Sequence, residues 1–203
     1  MQIEIKHPHD HLVLPIQETP YDFAAIFGNP NPVELEVGSG KGRFLIGEAE
    51  ANPDRNYVGI EWANKYCQLC ASRAAGRKMT NIRFLRDDAV HTFKMAISDR
   101  CLEAVYVLFP DPWPKKRQLK RRTIQAPFLD QVARTVKVGG KLVLATDHAE
   151  YFEQMVEVTA AHPKIQQVLK LVGEEARTGV TNFEVKYRAE GRVIHNLDCE
   201  VLG

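Results

Sequence analysis

Asp111 and Trp113 stand at the centre of the most chemically loaded stretch of the chain, residues 108–122, LFPDPWPKKRQLKRR. Pro110, Pro112 and Pro114 flank them. Each proline fixes its own φ, lacks an N–H and biases the residue before it away from α. A carboxylate and an indole held this way, in turn or extended geometry, suit a flat, polar substrate such as a nucleobase. Lys115, Lys116, Arg117, Lys120, Arg121 and Arg122 follow directly. A cation cluster of this density meets phosphates and releases counterions. A charge run by itself is commonly a solvated loop. With Asp111 and Trp113 directly before it, the run reads instead as the mouth of an active site facing nucleic acid.

A second constellation precedes it. Glu36-Val37-Gly38-Ser39-Gly40-Lys41-Gly42 follows a strand-like run and opens a helix-like one, the position of a nucleotide-binding turn. The spacing is G-x-G-x-G, with Arg43 where the last dinucleotide glycine would fall, and it is not a P-loop. Glu36 lies where a phosphate binder would not want an anion, whereas a cofactor carrying an ammonium and a sulfonium would. Glu61 comes 23 residues after Gly38, where a carboxylate takes ribose hydroxyls. Asp87 and Asp88 end the next strand-like run, where a carboxylate accepts from an adenine amino group. Asp88 is equally suited to cap the helix starting at Ala89. Acids at successive strand ends describe S-adenosylmethionine better than a dinucleotide.

Strand ends must carry these groups. Apolar runs predict strands over 33–37, 57–61, 82–85, 104–109, 141–145, 166–172 and 192–201. Helices are expected over 42–51, 64–76, 89–96, 123–136, 147–161 and 181–189, with a shorter one at 21–27. Val138-Gly139-Gly140 reads as a turn. The alternation predicts an α/β fold: a doubly wound, mostly parallel sheet with helices on both faces and an antiparallel edge strand. Glu36, Glu61, Asp88 and Asp111 then fall at strand C-termini, where open α/β sheets bind ligands. Residues 1–32 read as an irregular N-terminal extension and 33–203 as a single domain.

The 203 residues suffice for one domain with a real core. The formal net charge is only +1, so any nucleic-acid contact must come from local charge. No apolar run approaches the roughly 18 residues of a membrane span. Residues 1–11, MQIEIKHPHDH, lack the basic start and apolar core of a signal peptide. A cytoplasmic protein with no membrane association is expected. Cys67 and Cys70 have C-x-x-C spacing, but no second pair stands at ligand spacing, so they read as small residues on a helix. His7, His9 and His11 read as a solvated tail rather than a ligand set. No metal is expected.

With ELEVGSGKG at 34–42, GIEW at 59–62, DA at 88–89, FPDPWPKKR at 109–117, KRR at 120–122, TD at 146–147 and T-x-F-E at 181–184, the chain resembles the bacterial tRNA (guanine-N7)-methyltransferase family. The likeness runs from about residue 34 to the C-terminus, and the FPDPWPKKR block is its specific part. Gln118 departs from the pattern, since members often carry His there. The resemblance implies a class I methyltransferase fold, S-adenosylmethionine as methyl donor and the variable-loop guanosine of tRNA as acceptor. It implies cofactor-side positions at Glu36, Gly38, Gly40, Glu61, Asp88 and Asp111, with Asp111 also catalytic. It implies substrate-side positions at Lys115, Asp147, Thr181, Asn182, Phe183 and Glu184.

The residues suit that chemistry independently. Guanine N7 carries a free lone pair and no proton, so its attack needs no general base. In-line displacement at a sulfonium methyl depends mainly on positioning. Carboxylates aimed at the purine stabilise the positive charge that arrives there. Asp111 and Asp147 are the candidates, with Glu184 as an acceptor for the guanine Watson–Crick edge. The base must be unstacked. Trp113 suits stacking on it and equally suits packing that holds the loop. Thr181 with Glu184 three residues on is also a capping box. Two other readings stand beside this one. An amino methyltransferase acting on adenine or cytosine also uses an acid, prolines and an aromatic at this strand end, though here Trp113 displaces the second proline. A non-catalytic, methyltransferase-like RNA-binding module would be expected to lack the cofactor acids.

Overall fold

The computed structural model describes residues 8–173 and 181–203, and His7 lies outside them. The chain divides into two compact units, Met1–Ile97 and Ser98–Gly203. In the first, β1 (Val13–Leu14), β2 (Val33–Val37), β3 (Asn56–Ile60) and β4 (Ile82–Leu85) pair in parallel, in the order β1-β4-β3-β2. Helix α1 (Phe23–Phe27) precedes β2. Helices α2 (Arg43–Ala51) and α3 (Asn64–Gly76) make the crossovers that parallel pairing requires, and α4 (Ala89–Ala96) follows β4. Strand β3 is buried at every position, as a parallel strand covered on both faces should be.

The buried face of α3 is Cys67, Cys70, Ala71 and Ala74, small residues at i, i+3, i+4 and i+7. The C-x-x-C pair is therefore packing surface. Burial pushes the two thiols up to about 11 and about 12, so neither offers a ready thiolate. Among the described residues no group of three or more His, Cys, Asp or Glu could hold a metal. His9 instead bonds Gln68 of α3, at 2.9 Å.

Leu12 and Val13 belong to the same core, and β1 aligns Val13 with Phe84. A two-residue strand is too short to show any periodicity, which is why the sequence read this region as irregular.

In the second unit the order is β5-β6-β8-β7, from β5 (Leu102–Leu108), β6 (Val136–Thr146), β7 (Ile165–Val172) and β8 (His195–Val201). Strands β5 and β6 are parallel, and β8 is antiparallel to both neighbours, giving the expected antiparallel edge. Helices α5 (Ala126–Thr135), α6 (Ala149–Ala160) and α7 (Asn182–Ala189) lie between the strands in sequence. The expected turn at Val138–Gly140 is instead a bulge inside β6. The register moves from Leu102↔Val136 to Ala104↔Lys141, so β6 spends five residues where β5 spends two. Gly139 takes φ 78°, and a Cβ on Gly140 would lie 2.7 Å from the Glu103 carbonyl oxygen. Lys116–Arg121 form a 3-10 helix, and α5 starts three residues later than expected, at Ala126, with Pro127 in its first turn. Among the described residues no helix is long and apolar enough to cross a membrane.

Leu12→Ala should lower unfolding stability by about 2–5 kcal/mol, the usual cost of a buried Leu truncation. Urea denaturation checks this: an unchanged midpoint would mean the segment is not part of the core.

Candidate active site

Strand β2 delivers Glu36 to a loop that turns through Gly38, Gly40 and Gly42, at φ 77°, 54° and 74°. Only glycine adopts such angles without strain. The N–H groups of Gly38 and Ser39 donate to the Ile60 carbonyl at 2.8 and 3.1 Å. Glu61, just past β3, ties the loop from the side: one carboxylate oxygen accepts from the Gly40 N–H and the other from the Ala63 N–H, both at 2.8 Å. Helix α3 holds the outside of the loop. The Cys70 thiol donates to the Gly40 carbonyl (3.2 Å) and Arg73 donates to the Lys41 carbonyl (2.7 Å). Gly59 lies against the same loop, since a Cβ there would come within 2.8 Å of Leu45 and 3.0 Å of the Ser39 hydroxyl.

Asp88 caps α4, accepting from the His91 N–H at 2.9 Å, so the capping alternative is what the structure shows. Asp87 accepts from the Thr92 hydroxyl and the Asp88 N–H. Burial works to raise the Asp87 carboxyl, but hydrogen bonds from His91, Thr92 and the Asp88 amide outweigh it and hold it below its ordinary range.

Glu36 is the exception among these acids. It is 3% exposed, and its Oε2 has no hydrogen-bond partner among the described residues; nor does the buried Ser39 hydroxyl. Burial first, and the nearby Glu61 charge second, push its carboxyl up to about 8. A buried carboxyl with one oxygen left without a partner in the protein ionises readily only beside a cation from outside. The ammonium of S-adenosylmethionine fits this position, and a phosphate does not.

In the second unit, the Phe109 N–H extends the pairing beyond β5 by donating to the Ala145 carbonyl at 2.7 Å. Phe109 and Trp113, each preceding a proline, take φ 54° and 41°. These left-handed turns cost an L-residue energy and need support. Arg122 supplies it at Trp113. Buried to 3%, it donates from Nε to the Pro112 carbonyl (2.7 Å), from Nη1 to Gln154 (2.6 Å) and from Nη2 to Glu150 (3.3 Å). Its guanidinium also lies 4.7 Å over the Tyr151 ring. The sequence left Arg122 between RNA contact and solvent; it does neither. Lys115, Lys116, Arg117, Lys120 and Arg121 are exposed. Arg121 lies over the half-buried Trp113 ring at 4.9 Å, so this indole both packs and faces a cation.

Asp111 is exposed on the loop. Asp147 follows β6 and accepts from Arg192 Nη1 at 2.6 Å. Thr181 caps α7 by accepting from the Glu184 N–H at 2.8 Å. Glu184 turns inward, 1% exposed, and accepts from Arg188. Asn182 and Phe183 open α7, and Phe183, Tyr187 and Phe109 form a ring cluster with centroids 5.7–6.5 Å apart. The fold thus gathers the 181–184 segment at the end of β5. Sequence reasoning missed Arg192, Tyr187 and the support from Cys70. For Arg192 the available signal was Gly191, a helix-terminating glycine that turns the chain back.

Glu36→Gln should raise stability, and more at pH 9 than at pH 5. The folded carboxyl keeps its proton to about pH 8 while the unfolded one loses it near 4.5. Between those values the unfolded state binds fewer protons, so stability falls as pH rises, by on the order of a few kcal/mol in all. Urea midpoints at the two pH values check this; equal gains at both would overturn it.

Residues 30–197 match the family model described as "Putative methyltransferase". A tRNA (guanine-N(7)-)-methyltransferase of Syntrophotalea carbinolica is 35% identical over 204 residues, covering 95% of this chain and 84% of the relative. One from Yersinia enterocolitica is 36% identical over 187 residues, covering 91% and 78%. One from Haemophilus influenzae strain PittGG is 40% identical over 159 residues, 78% of this chain, and the match spans 65% of that relative's length. Among solved structures, the 16S rRNA methyltransferase KamB aligns with a TM-score of 0.70 at 17% identity, covering 93% of this chain and 97% of its own. That likeness concerns fold alone, and the fold is the class I, Rossmann-like methyltransferase fold. By the extent and identity of its matches, the chain belongs to the tRNA (guanine-N7)-methyltransferase family.

Proposed function

We propose that this protein transfers the methyl group of S-adenosylmethionine to N7 of a guanosine in the variable loop of tRNA, with no metal. The observation that carries the donor half is Glu36, a buried carboxylate with an unpartnered oxygen beside a glycine loop. The name of the relatives supports the acceptor half. So do the five exposed cations that follow Asp111. When bound, S-adenosylmethionine supplies a methyl on a sulfonium and a cationic ammonium. Glu36 pairs with that ammonium, Gly38 and Gly40 let the backbone approach, Glu61 serves the ribose and Asp88 the adenine amino group. Asp111 acts from the cofactor side and stabilises positive charge as it reaches the purine. Asp147 and the segment Thr181, Asn182, Phe183 and Glu184 shape the acceptor side, with the half-exposed Phe183 ring offered to the base. Lys115 and the exposed cations after it hold phosphates, and Arg122 holds the loop. Residues 33–203 work as one catalytic domain with 1–32 as its extension, in the cytoplasm, where tRNA is met.

The test is methyl transfer from labelled S-adenosylmethionine to unmodified tRNA, with nucleoside analysis of the product. N7-methylguanosine is expected; methylated amino groups of adenine or cytosine would favour the amino methyltransferase. Asp111→Ala should lower kcat by about 10²-fold or more, and Lys115→Ala should mainly raise the tRNA KM. Wild-type turnover by the Asp111→Ala protein would sink its catalytic assignment. Donor binding should strengthen between pH 6 and 7.5, because pairing with an ammonium ionises a Glu36 otherwise protonated up to about pH 8. Calorimetry in buffers of different ionisation enthalpy should show proton release on binding; its absence would contradict the Glu36 role.

A further inference from the structure

Helix α7 ends in a Schellman motif: the Arg192 N–H donates to the Tyr187 carbonyl and the Gly191 N–H to the Arg188 carbonyl, both at 2.9 Å. Gly191, at φ 72°, makes that reversal possible. It brings the Arg192 guanidinium back over its own helix, 4.2 Å above the Tyr187 ring. From there Nη1 donates to Asp147 Oδ2 at 2.6 Å and Nη2 pairs with Glu190 Oε2 at 2.7 Å. A planar fork held at three points is preorganised. Asp147 is consequently held by one oxygen, while no hydrogen bond to Oδ1 is found among the described residues. Its side chain is 16% exposed, so the free oxygen is not sealed from a ligand by burial.

We propose that Arg192 is a positioning residue for methyl transfer, fixing Asp147 so that its free oxygen accepts from the N1–H and N2–H edge of the target guanine. The proposal rests on the reading that a guanine is the acceptor. Enzymes acting on an extruded base read its Watson–Crick edge by hydrogen bonds. Of the acids on the acceptor side, Glu184 is buried to 1% exposure and turned onto Arg188, whereas Asp147 keeps 16% of its side chain exposed and is held by Arg192. As the methyl reaches N7 the purine becomes cationic and its ring N–H groups become stronger donors. The bond to Asp147 therefore tightens towards the transition state, and such an interaction acts on kcat. Overall tRNA affinity comes mainly from phosphate contacts, whereas the Arg192 guanidinium is already engaged by Asp147, Glu190 and the Tyr187 ring.

The experiment is steady-state transfer to unmodified tRNA by wild type, Arg192→Ala, Arg192→Lys and Glu190→Gln, with donor affinity and thermal midpoint measured on each. Arg192→Ala should lose about tenfold or more in kcat, the scale on which misplaced groups act. Its tRNA KM, donor affinity and thermal midpoint should stay close to wild type. Arg192→Lys should recover part of the loss, because it restores charge without the fork, and Glu190→Gln should show a smaller loss of kcat alone. An unchanged kcat, or a raised KM with kcat unchanged, overturns the proposal, the second outcome making Arg192 an RNA contact. If wild type itself makes no N7-methylguanosine, the guanine reading fails first, and with it the basis of this inference.

Discussion

A buried carboxyl with one oxygen left unpartnered among the described residues sets the terms for the first unit. Glu36 costs the ligand-free protein stability, and the fold tolerates this by leaving its carboxyl protonated up to about pH 8. Everything around it limits relaxation. The Gly38–Gly42 loop is pinned by Ile60, Glu61, Cys70 and Arg73, so it cannot swing an amide round to satisfy the stray oxygen. Gly59 leaves no room for repacking, because even a methyl there would collide with Leu45. An unmet acid in a rigid frame is a standing demand for a cation, which is why the proposed function sets the donor's ammonium there. A frame this rigid would leave little to rearrange if a cation were bound there.

The second unit buries a charge in the opposite manner. Arg122 is as inaccessible as Glu36, yet each of its nitrogens has an acceptor and its face has the Tyr151 ring. Buried and fully paired, it is structural. It holds the Pro112 carbonyl and so supports the positive-φ turn at Trp113. The five exposed cations beside it have a different physical task. They stay exposed to solvent, as the phosphate contacts of the proposed function require. One basic run thus contains a buried strut and five exposed cations, separated by burial alone.

That division shows where sequence reading stops. Strand and helix identities were legible because parallel strands and crossover helices carry apolar periods, and the boundaries of α3, α4, β2 and β4 coincide with those expected. Strand ends were legible too, so Glu36, Glu61 and Asp88 could be placed by counting. The Arg122 strut was not, because its acceptors, Gln154 and Glu150, lie about thirty residues away on α6. Nothing in KRR distinguishes a buried arginine from an exposed one. The bulge at Gly139 and Gly140 was hidden for a related reason: two glycines signal a turn, and only the register with β5 shows the strand continuing through it. The pairing of Arg192 with Asp147 spans forty-five residues and left no local trace beyond Gly191.

Several acids that looked like ligands also proved to be caps or ties, and the two descriptions do not compete. Asp88 uses Oδ1 to cap α4, and Asp147 gives Oδ2 to Arg192. A carboxylate has two oxygens and about four acceptor sites. Fixing one oxygen with a backbone amide or a guanidinium removes the rotational freedom that a ligand would otherwise have to freeze out. The other oxygen then points in one direction before any ligand arrives. Glu61 takes this furthest, with both oxygens engaged by the amides of Gly40 and Ala63, so any ribose hydroxyl must use its remaining lone pairs. At a strand end the choice between cap and ligand is therefore a false one: a carboxylate serves well as a ligand there because the fold already holds it by its other side.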